Sequence, residues 1–545
     1  MQASKRAYRG RVVQMDAAFS VLKDAVIWIE GNRIKAVLDA AATPPQGFEH
    51  MTPINTGGTF YPGLIELHNH LGYDILKLWD VPKLYCNRGQ WQGSPPYQAG
   101  VSGPMGVLGK TPGVAPAIAR YTEAKCLMGG TTTSQGITLF SAPGLMRQYR
   151  GIVRNVEESL DSTLPDAKAR IPDYAAKDKD NFLGYLKDFP CLLMHLSEGI
   201  DASARKHFLD LEISPNVWAI AASLTGIHCN ALTRKDFDRL AAVRAGMVWS
   251  PLSNFMLYGQ TADIKSARAA GVRIGLGSDW SPSGSKNLLH ELKVVRVVNS
   301  VQALGFSDRD IVAMATIVAA GLLRWDRYLG SIEAGKYADL VLVRGKAGDA
   351  YEHLLKADET RIDLVVVDGL PRYAIKKLTA GFSGTGEVIS FAGETRYLNL
   401  DDANADEIVA GLSLKVATKT LSNAMKNLPT LAKKQAKLPP SPLMTMAMDG
   451  ARRRVFGQGP TPRADWTLVL DQDEPPDENL RPRFDSEAPL PGTIRMSAMP
   501  TATKAPAVLK PLELDELTVT GDPGYYPALA GQRNIPQAIK DGLQP

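Results

Sequence analysis

Cysteine, long apolar runs and a strong excess of one charge are all scarce or absent in this chain. It contains four cysteines among 545 residues, and no two of them form a CxxC pair, which argues against a disulfide framework. The N-terminal residues lack the apolar stretch of a signal peptide, and no apolar run reaches the length of a membrane-spanning helix. We therefore expect a cytoplasmic protein without a membrane partner.

Acidic and basic residues are nearly balanced. There are 62 Lys and Arg residues and 57 Asp and Glu residues, which gives a net charge of +5. The short basic run Arg452–Arg454 is typical of a solvated surface, so the charge pattern does not indicate a nucleic-acid partner. The apolar content of 44% is that of an ordinary soluble enzyme, and the length predicts two or more modules.

Histidine is also infrequent, with eight residues in the chain, so two histidines in one short motif are informative. His68 and His70 follow the mostly apolar stretch Phe60–Leu67, which is typical of a β-strand. Side chains at positions i and i+2 of a strand point to the same face. The motif therefore predicts that both imidazoles can approach one metal ion.

Three later apolar runs each end in a residue that can bind a metal, namely His195, His228 and Asp279. If these runs are parallel strands of a (β/α) barrel, their carboxyl ends converge on one face. Imidazoles together with a carboxylate form a site for Zn²⁺ or another first-row ion and leave a position for water.

The order of these motifs resembles the amidohydrolase superfamily of metal-dependent hydrolases and deaminases. The resemblance rests on Pro62-Gly63-x-Ile65-x-x-His68-x-His70, then His195-x-x-Glu198, then His228, then Gly277-Ser278-Asp279. Within the superfamily, the chain resembles the mononuclear branch of adenosine and cytosine deaminases, triazine hydrolases and aminohydrolases. Ser250–Asn254 also resembles a segment of the aminohydrolases, and the similarity covers about residues 5–375.

The resemblance implies an α/β fold. We expect a (β/α)8 TIM barrel with a flanking β-sandwich built from N- and C-terminal strands, followed by an irregular C-terminal extension. The expected boundaries are 1–58 for the first part of the sandwich, 59–328 for the barrel, 329–380 for the second part and 381–545 for the extension. A hairpin pattern over Asp24–Val37, with a turn at Gly31-Asn32, agrees with the first of these.

Strand and helix patterns alternate between the two sandwich parts, as in a parallel barrel. Strands are predicted at 131–137, 152–156, 191–195, 225–228, 246–250 and 272–277, and the strand before His68 makes seven. Helices are predicted at 116–128, 202–211, 234–243, 286–301 and 308–325, the last with a capping box of Ser307 and Asp310. The irregular, charged segment 160–190 does not show where an eighth strand lies.

The same resemblance implies that His68, His70, His195 and Asp279 hold one divalent metal ion. We expect Zn²⁺, with Fe²⁺ and Mn²⁺ as alternatives. A bound ion lowers the pKa of water to about 7, so that hydroxide can attack the substrate at neutral pH. Glu198 would hydrogen-bond the substrate and carry protons as a catalytic general acid, and Asp279 would also accept the proton of the water.

His228 is expected to be a further catalytic residue that orients the water or polarises the substrate. In dinuclear relatives the corresponding histidine binds a second metal ion, usually together with a bridging carboxylated lysine from a middle strand. No lysine ends a clear middle strand here, because Lys125 lies in a helical pattern and Lys187 in the charged segment. This favours the mononuclear interpretation.

The segment Leu71–Gly113 is long for a loop after a barrel strand, and loops of this length are usually lids or binding loops. It contains the candidate substrate-binding residues Trp79, Arg88 and Trp91, and Trp280 is a fourth candidate. The aromatic rings either stack on a planar substrate or pack the loop onto the barrel. The sequence does not separate these alternatives.

The resemblance ends at about residue 375. A helix is predicted over Asp406–Leu428, ended by Pro429, and prolines are dense from Pro439 onward, which favours extended chain with little core of its own. Two apolar islands, Trp466–Leu470 and Leu512–Val519, are candidate strands. We expect the extension to pack on the barrel or to contribute to a homo-oligomer, and it shows no catalytic residues.

These observations predict an enzyme that hydrolyses a non-peptide C–N bond, amidine-like or amide-like, in a small-molecule substrate. A deaminase or aminohydrolase is the favoured type. One alternative is a dinuclear hydrolase of cyclic amides. Another is a non-catalytic scaffold on the same fold, although such a protein would be expected to lose metal ligands that are all present here.

Overall fold

The computed structural model describes residues 4–141, 146–174, 179–380, 382, 386–437, 466–470 and 509–544. It is an α/β structure, which confirms the predicted class. The strands are β1 (Lys5–Val13), β2 (Val21–Glu30), β3 (Arg33–Asp39), β4 (Ile54–Pro62), β5 (Leu64–Ile65), β6 (Thr131–Ser134), β7 (Thr138–Ser141), β8 (Met146–Gln148), β9 (Arg154–Asn155), β10 (Lys168–Arg170), β11 (Leu192–Leu196), β12 (Glu212–Ser214), β13 (Val217–Trp218), β14 (Leu224–His228), β15 (Gly246–Trp249), β16 (Arg273–Leu276), β17 (Leu340–Arg344), β18 (Ile362–Val367), β19 (Leu370–Ala374), β20 (Glu387–Phe391), β21 (Glu394–Leu398) and β22 (Trp466–Leu468). The helices are α1 (Arg88–Gln92), α2 (Pro95–Tyr97), α3 (Gly103–Leu108), α4 (Val114–Met128), α5 (Lys179–Asp188), α6 (Ala202–Leu209), α7 (Arg234–Ala242), α8 (Pro251–Tyr258), α9 (Ile264–Ala270), α10 (Leu288–Val301), α11 (Asp308–Met314), α12 (Ile317–Leu323), α13 (Ala350–Leu355), α14 (Leu414–Lys426), α15 (Leu428–Gln435), α16 (Tyr525–Gly531) and α17 (Gln537–Gly542).

Eight strands run parallel and neighbour one another in chain order. β5, β6 and β9 form one sheet, and β10, β11, β14, β15 and β16 form another. Backbone hydrogen bonds connect the two sheets at both edges: the Ala167 N–H donates to the Val156 carbonyl, and the Leu67 N–H donates to the Leu276 carbonyl. The carboxyl ends of all eight strands therefore lie on the same side.

Six of the seven predicted strands are present with shifts of at most three residues at their ends, and the eighth parallel strand is β10. The predicted strand before His68 is divided between the end of β4 and the two-residue β5. β10 pairs with β11 through only three residues, Lys168–Arg170. Two of the three are charged, yet both are buried, and the Arg170 guanidinium donates to the carbonyls of Pro172 and Asp173. No apolar pattern marks this strand in the sequence because two of its three residues are charged.

Strands β11, β14 and β15 are buried at every residue, the pattern of parallel strands covered on both faces. Their side chains are occupied in packing. Only residues at the carboxyl ends can therefore reach a ligand.

The N-terminal strands and the strands after Asp339 join in one nine-stranded sheet, ordered β20-β21-β19-β18-β17-β4-β1-β2-β3. β17 pairs antiparallel with β4, which connects the two sequence-distant parts directly. The predicted hairpin of β2 and β3 is present, with Glu30 opposite Arg33. Arg154 of β9 donates to Asp339 and Asp368, each at 2.8 Å, and so links this sheet to the parallel strands.

The single helix predicted over 308–325 is wrong. The chain forms two helices, α11 and α12, because Thr316 between them has non-helical backbone angles and its hydroxyl donates to the Val312 carbonyl. The predicted capping box of Ser307 and Asp310 is present at the start of α11.

The helix predicted over 406–428 begins later, at Leu414, because the Ser413 side chain caps the N-terminus of α14 by accepting from the Val416 N–H. Pro429 does not end a helix. It lies in the first turn of α15, where its missing N–H has no helical partner to lose.

The described parts of the C-terminal extension pack on the rest of the chain, which is one of the two predicted alternatives. β22 pairs antiparallel with β7, and residues 509–544 bury Tyr525, Leu529 and Ile539. Leu512–Val519 forms no strand, and the basic run Arg452–Arg454 lies outside the described residues. No helix in the described part of the chain is long and apolar enough to cross a membrane.

The nine-stranded sheet supplies a stability prediction. Leu342 in β17 is fully buried, so Leu342→Ala should lower the free energy of unfolding by about 2–5 kcal/mol through the cavity it leaves. Val388→Ala in β20 is the matched control, because Val388 is 63% exposed, and it should change the value by less than about 0.5 kcal/mol. Urea denaturation measures both variants, and equal effects would contradict this packing.

Candidate active site

The four predicted metal ligands lie together at the carboxyl ends of β5, β11 and β16. His68 Nε2 lies 3.0 Å and His70 Nε2 lies 3.5 Å from Asp279 Oδ1. The ring centroid of His195 is 4.7 Å from that of His68 and 5.4 Å from that of His70. One ligand atom from each of these three histidines falls within 4.8 Å of the others. The sequence-predicted ligands therefore converge in one small volume.

Backbone pairing holds the two ends of this cluster side by side. The His70 N–H donates to the Asp279 carbonyl at 2.7 Å, and the Asp279 N–H donates to the His68 carbonyl at 3.1 Å. Asp279 and His228 have φ values of 70° and 66°, a left-handed conformation that is uncommon for residues with a side chain. Conformations of this kind cluster at functional sites.

The His195 imidazole is neutral. Burial, reinforced by His68 and Arg88, lowers the pKa of His195 well below its ordinary value. Gln135 Oε1 accepts from the Asn69 N–H and lies 3.0 Å from His68 Nδ1, so His68 Nδ1 carries a proton and donates to it.

Two buried nitrogens of this cluster have no hydrogen-bond partner among the described residues, His68 Nε2 and His195 Nδ1. His68 Nε2 is close to Asp279 but is not aligned with it for a hydrogen bond. Buried polar atoms are normally satisfied. These two nitrogens and the Asp279 carboxylate are together groups that a divalent ion would bind.

Asp279 is ionised. Burial alone would raise the pKa of its carboxyl, but the adjacent His68 holds that pKa below its usual range. The Ser253 hydroxyl also donates to Asp279 Oδ2. The negative charge of the cluster is therefore fixed near the imidazoles.

Glu198 lies beside the imidazoles, with Oε2 3.9 Å from His228 Nε2. The Tyr258 hydroxyl donates to Oε1 at 2.7 Å, and Arg88 Nη1 lies 3.6 Å from Oε2. Burial raises the pKa of Glu198 to about 7, although the Arg88 charge opposes this shift. The carboxyl can therefore exist in either protonation state near neutral pH, as a proton carrier requires.

A chain of hydrogen bonds determines which nitrogen of His228 is protonated. Trp249 Nε1–H, which can only donate, donates to Thr261 Oγ1 at 2.6 Å. The Thr261 hydroxyl donates to Asn254 Oδ1 at 3.0 Å, so Asn254 Nδ2 donates to His228 Nδ1, also at 3.0 Å. Because burial lowers the pKa of His228 to about 3, the ring is neutral and its one proton lies on Nε2, toward Glu198.

The candidate substrate-binding aromatics lie at increasing distances from the metal ligands. The ring centroid of Trp280 is 5.5 Å from that of His70, and Trp91 lies 6.0 Å beyond, against Trp280. Trp79 stacks on Tyr85 within the long loop. All three indoles are buried, so each contributes to packing, and Trp280 is the one that borders the imidazoles.

A cavity of about 70 Å³ that opens to solvent lies beside His70 and His195. The polar lining includes Gln135, Glu157 and Arg170, and the apolar lining includes Leu71, Ile137, Ile171 and, from the C-terminal extension, Leu468–Leu470.

The sequence analysis missed several residues that support this site. Glu66 accepts from the Ser278 N–H and from Asn69 Nδ2, each at 3.1 Å, and so connects the first ligand segment to the last. Burial raises the pKa of Glu66 to about 7. An acid inside an apolar strand is a signal that the sequence contains, whereas nothing in the pattern around Gln135 or Tyr258 distinguishes them.

Comparison with known proteins agrees with this geometry. The model of the amidohydrolase family matches residues 196–371. The chain is 23% identical over 356 residues to a 5-methylthioadenosine/S-adenosylhomocysteine deaminase of Caldanaerobacter subterraneus subsp. tengcongensis, which covers 59% of this chain and 81% of the relative. It is 29% identical over 205 residues to a protein of the same name from Symbiobacterium thermophilum, which covers 34% of this chain and 44% of the relative.

A solved structure supports the fold. The adenosine deaminase of Xanthomonas campestris with bound zinc aligns with a TM-score of 0.53 at 18% identity, over 76% of this chain and 98% of that structure. The family match spans Glu198, His228 and Asp279, which lie together in the cluster described above. The family model over residues 196–371 and the similarity to curated deaminases support the amidohydrolase superfamily of metal-dependent hydrolases and deaminases.

Proposed function

We propose that this protein is a zinc-dependent deaminase that releases ammonia from the 6-amino group of a purine nucleoside. The observation that carries the proposal is the convergence of three imidazoles and one carboxylate beside the proton-carrying Glu198. The relatives are named as deaminases of 5-methylthioadenosine, S-adenosylhomocysteine or adenosine. The proposed substrate class is the 6-aminopurine that these compounds share.

We infer that the eight parallel strands form the predicted (β/α)8 barrel, because hydrogen bonds connect both pairs of sheet edges. We also infer that the nine-stranded sheet, which joins N- and C-terminal strands, is the part of the chain predicted as a β-sandwich. The division into residues 1–58, 59–328, 329–380 and 381–545 is part of this proposal. We also propose a cytoplasmic location and a homo-oligomer contact.

One divalent ion fits the site. His68, His70, His195 and Asp279 would hold it, and the unpartnered buried nitrogens of His68 and His195 support an ion there. Zn²⁺ is the proposed ion because imidazole and carboxylate ligands suit it, with Fe²⁺ and Mn²⁺ as alternatives. When bound, such an ion lowers the pKa of water and so supplies a nucleophile at neutral pH.

The His228 tautomer supports a mononuclear site. Nε2 carries the proton and has no lone pair for a second ion. Lys125 donates from Nζ to Asp74, Ser281 and Asp515, which occupies all three of its protons. We therefore favour the deaminase over a dinuclear cyclic-amide hydrolase.

Two carboxyl groups, those of Asp279 and Glu198, carry all the protons that the proposed reaction transfers. Asp279 takes a proton from the attacking water, and Glu198 gives its proton to the ring nitrogen as the water oxygen bonds to the adjacent carbon. The amino group then leaves as ammonia with the proton held by Asp279. The remaining hydroxyl proton returns to Glu198 as the carbonyl forms, and the His228 Nε2–H donates to the oxygen throughout.

We place the substrate in the cavity beside His70 and His195, with Trp280 at its edge. Arg88 and Trp91 would act on it indirectly, because Arg88 lies against Glu198 and Trp91 lies behind Trp280. Trp79 is assigned to packing of the loop.

Ammonia release tests the function. Zinc-loaded protein should release ammonia from a 6-aminopurine nucleoside within a panel that also contains guanine, aminopyrimidines, triazines and cyclic amides. Glu198→Gln should lower kcat by about 10²–10⁴-fold, because it removes the proton carrier. His195→Ala should lose bound zinc, measured by elemental analysis, whereas His50→Ala, at an exposed position, should retain it. Opening of a cyclic amide without ammonia release would contradict the deaminase.

The pKa of Glu198 predicts a pH effect in the metal-free protein. The group titrates at 4.5 ordinarily and at about 7 in the fold, so the unfolded chain releases the proton first and stability falls as pH rises through this interval. Glu198→Gln lacks this loss and should be more stable than wild type by ~3 kcal/mol above about pH 8. Below about pH 4 the two should differ little by this mechanism. A pH-independent difference in denaturant midpoint would contradict the shifted pKa.

The tautomer of His228 can be reversed. Asn254→Asp offers an acceptor instead of a donor, so the proton should move to Nδ1 and leave Nε2 without one. We expect kcat to fall by about 10²-fold or more. We also expect elemental analysis to find up to two ions per chain. Asn216→Asp, at an exposed position, is the matched control. An unchanged kcat for Asn254→Asp would show that the tautomer is not used.

A further inference from the structure

Two lysines and two aspartates form a buried charge cluster between the catalytic face and the C-terminal segment 509–544. Asp515 Oδ2 accepts from Lys125 Nζ at 2.7 Å, and Asp515 Oδ1 accepts from Lys286 Nζ at 2.6 Å. Lys286 also donates to Asp522 Oδ2 at 2.9 Å. The side chains of Lys125, Lys286 and Asp515 are at most 3% exposed, so solvent ions screen these charges little.

Lys125 is held by three acceptors. Besides Asp515, its Nζ donates to the Asp74 carbonyl at 2.8 Å and to Ser281 Oγ at 2.7 Å. The Ser281 N–H in turn donates to Asp74 Oδ1 at 2.7 Å. All three ammonium protons are therefore used, which fixes the position of the charge.

Asp74 and Ser281 belong to the two segments that carry the proposed metal ligands. Asp74 lies four residues after His70, and Ser281 lies two residues after Asp279. An ammonium that donates to both segments sets the distance between them. The charge that keeps this ammonium in place comes from Asp515 in the C-terminal extension.

The C-terminal segment is itself anchored to the long loop. The Asp515 N–H donates to the Ile75 carbonyl at 2.9 Å. Gln532 Nε2 donates to the Trp79 carbonyl at 3.1 Å, and Gln532 Oε1 accepts from the Val81 N–H at 3.4 Å. The position of the Asp515 carboxylate is therefore set by its backbone as well as by the lysines.

We propose that Asp515 is a positioning residue of the metal site, which acts by pairing with Lys125 and so fixing the separation of the two ligand-bearing segments. The inference rests on the proposed metal site. It gives the C-terminal extension, in which the sequence shows no catalytic residue, a role in activity.

Asp515→Asn in the full-length protein tests this inference, because it removes the charge and keeps the shape. We expect kcat to fall about 100-fold, as for a displacement of about 1 Å in a catalytic site. The visible absorption of the Co²⁺-loaded protein should also change, because it reports ligand geometry. Glu513→Gln is the matched control, since Glu513 pairs with Lys77 at the surface of the same segment, and both readouts should equal wild type. A wild-type spectrum for Co²⁺-loaded Asp515→Asn would overturn the inference.

Two further variants separate positioning from stability. Lys286→Met removes the other buried cation and should keep a spectrum close to that of wild type, whatever its Tm. The double variant Asp515→Asn with Lys125→Met leaves Lys286 paired with Asp522, so it should unfold at a higher temperature than Asp515→Asn yet have an equally low kcat. Full activity of the double variant would overturn the inference, and the same variant provides the test if Asp515→Asn does not fold.

The spectrum needs no substrate, so this test is separate from the ammonia assay. A protein that binds Co²⁺ and changes its spectrum on Asp515→Asn supports the inference even where no substrate is found. A wild-type protein that binds no Co²⁺ overturns the proposed function and this inference together.

Discussion

Burial of ionisable side chains is the constraint on which this structure depends. An uncompensated buried charge costs several kcal/mol, and the catalytic face buries carboxylates, imidazoles and ammonium groups within a few ångströms. Asp279 lies against His68, Lys125 pairs with Asp515, and His195 and His228 remain neutral. The same lack of solvation gives Glu198 a pKa near neutrality. Stability and reactivity therefore depend on one arrangement.

Groups that can only donate or only accept a hydrogen bond determine which imidazole nitrogens of the site carry protons. The Trp249 indole can only donate, and through Thr261 and Asn254 it determines where the His228 proton lies. A backbone N–H has the same effect on Gln135 and, through it, on His68. Side chains that touch neither substrate nor metal thus decide which nitrogen can donate and which can bind.

Local patterns predicted most of the fold and the site. The two histidines after a strand, and the ligands that end later apolar runs, are visible because strand periodicity and barrel geometry turn sequence position into spatial position. β10 was not visible because two of its three residues are charged. Helix 308–325 was predicted as one element because the break at Thr316 comes from backbone angles that no periodicity encodes.

Long-range ion pairs lie beyond such patterns. In the sequence, Asp515 is an ordinary acidic residue in a proline-rich tail. Its two partners, Lys125 and Lys286, precede it by 390 and 229 residues. Nothing local distinguishes it from Glu513, which is exposed. Local patterns do not predict the substrate class either, because the pocket is assembled from distant segments, including Leu468–Leu470. The proposed 6-aminopurine substrate rests on the similarity to deaminases and not on a motif.

The anchoring of the catalytic face by residues 509–544 has a consequence for the order of biosynthesis. Domains form from the N-terminus while the chain is still being made. Lys125 and Lys286 are therefore synthesised, and their elements can fold, well before Asp515 exists to pair with them. Until that segment docks, the nascent protein holds these two lysines without the counter-charge of Asp515. The ion pair that we propose to fix the separation of the segments after His70 and Asp279 is thus made late, after the eight parallel strands are complete.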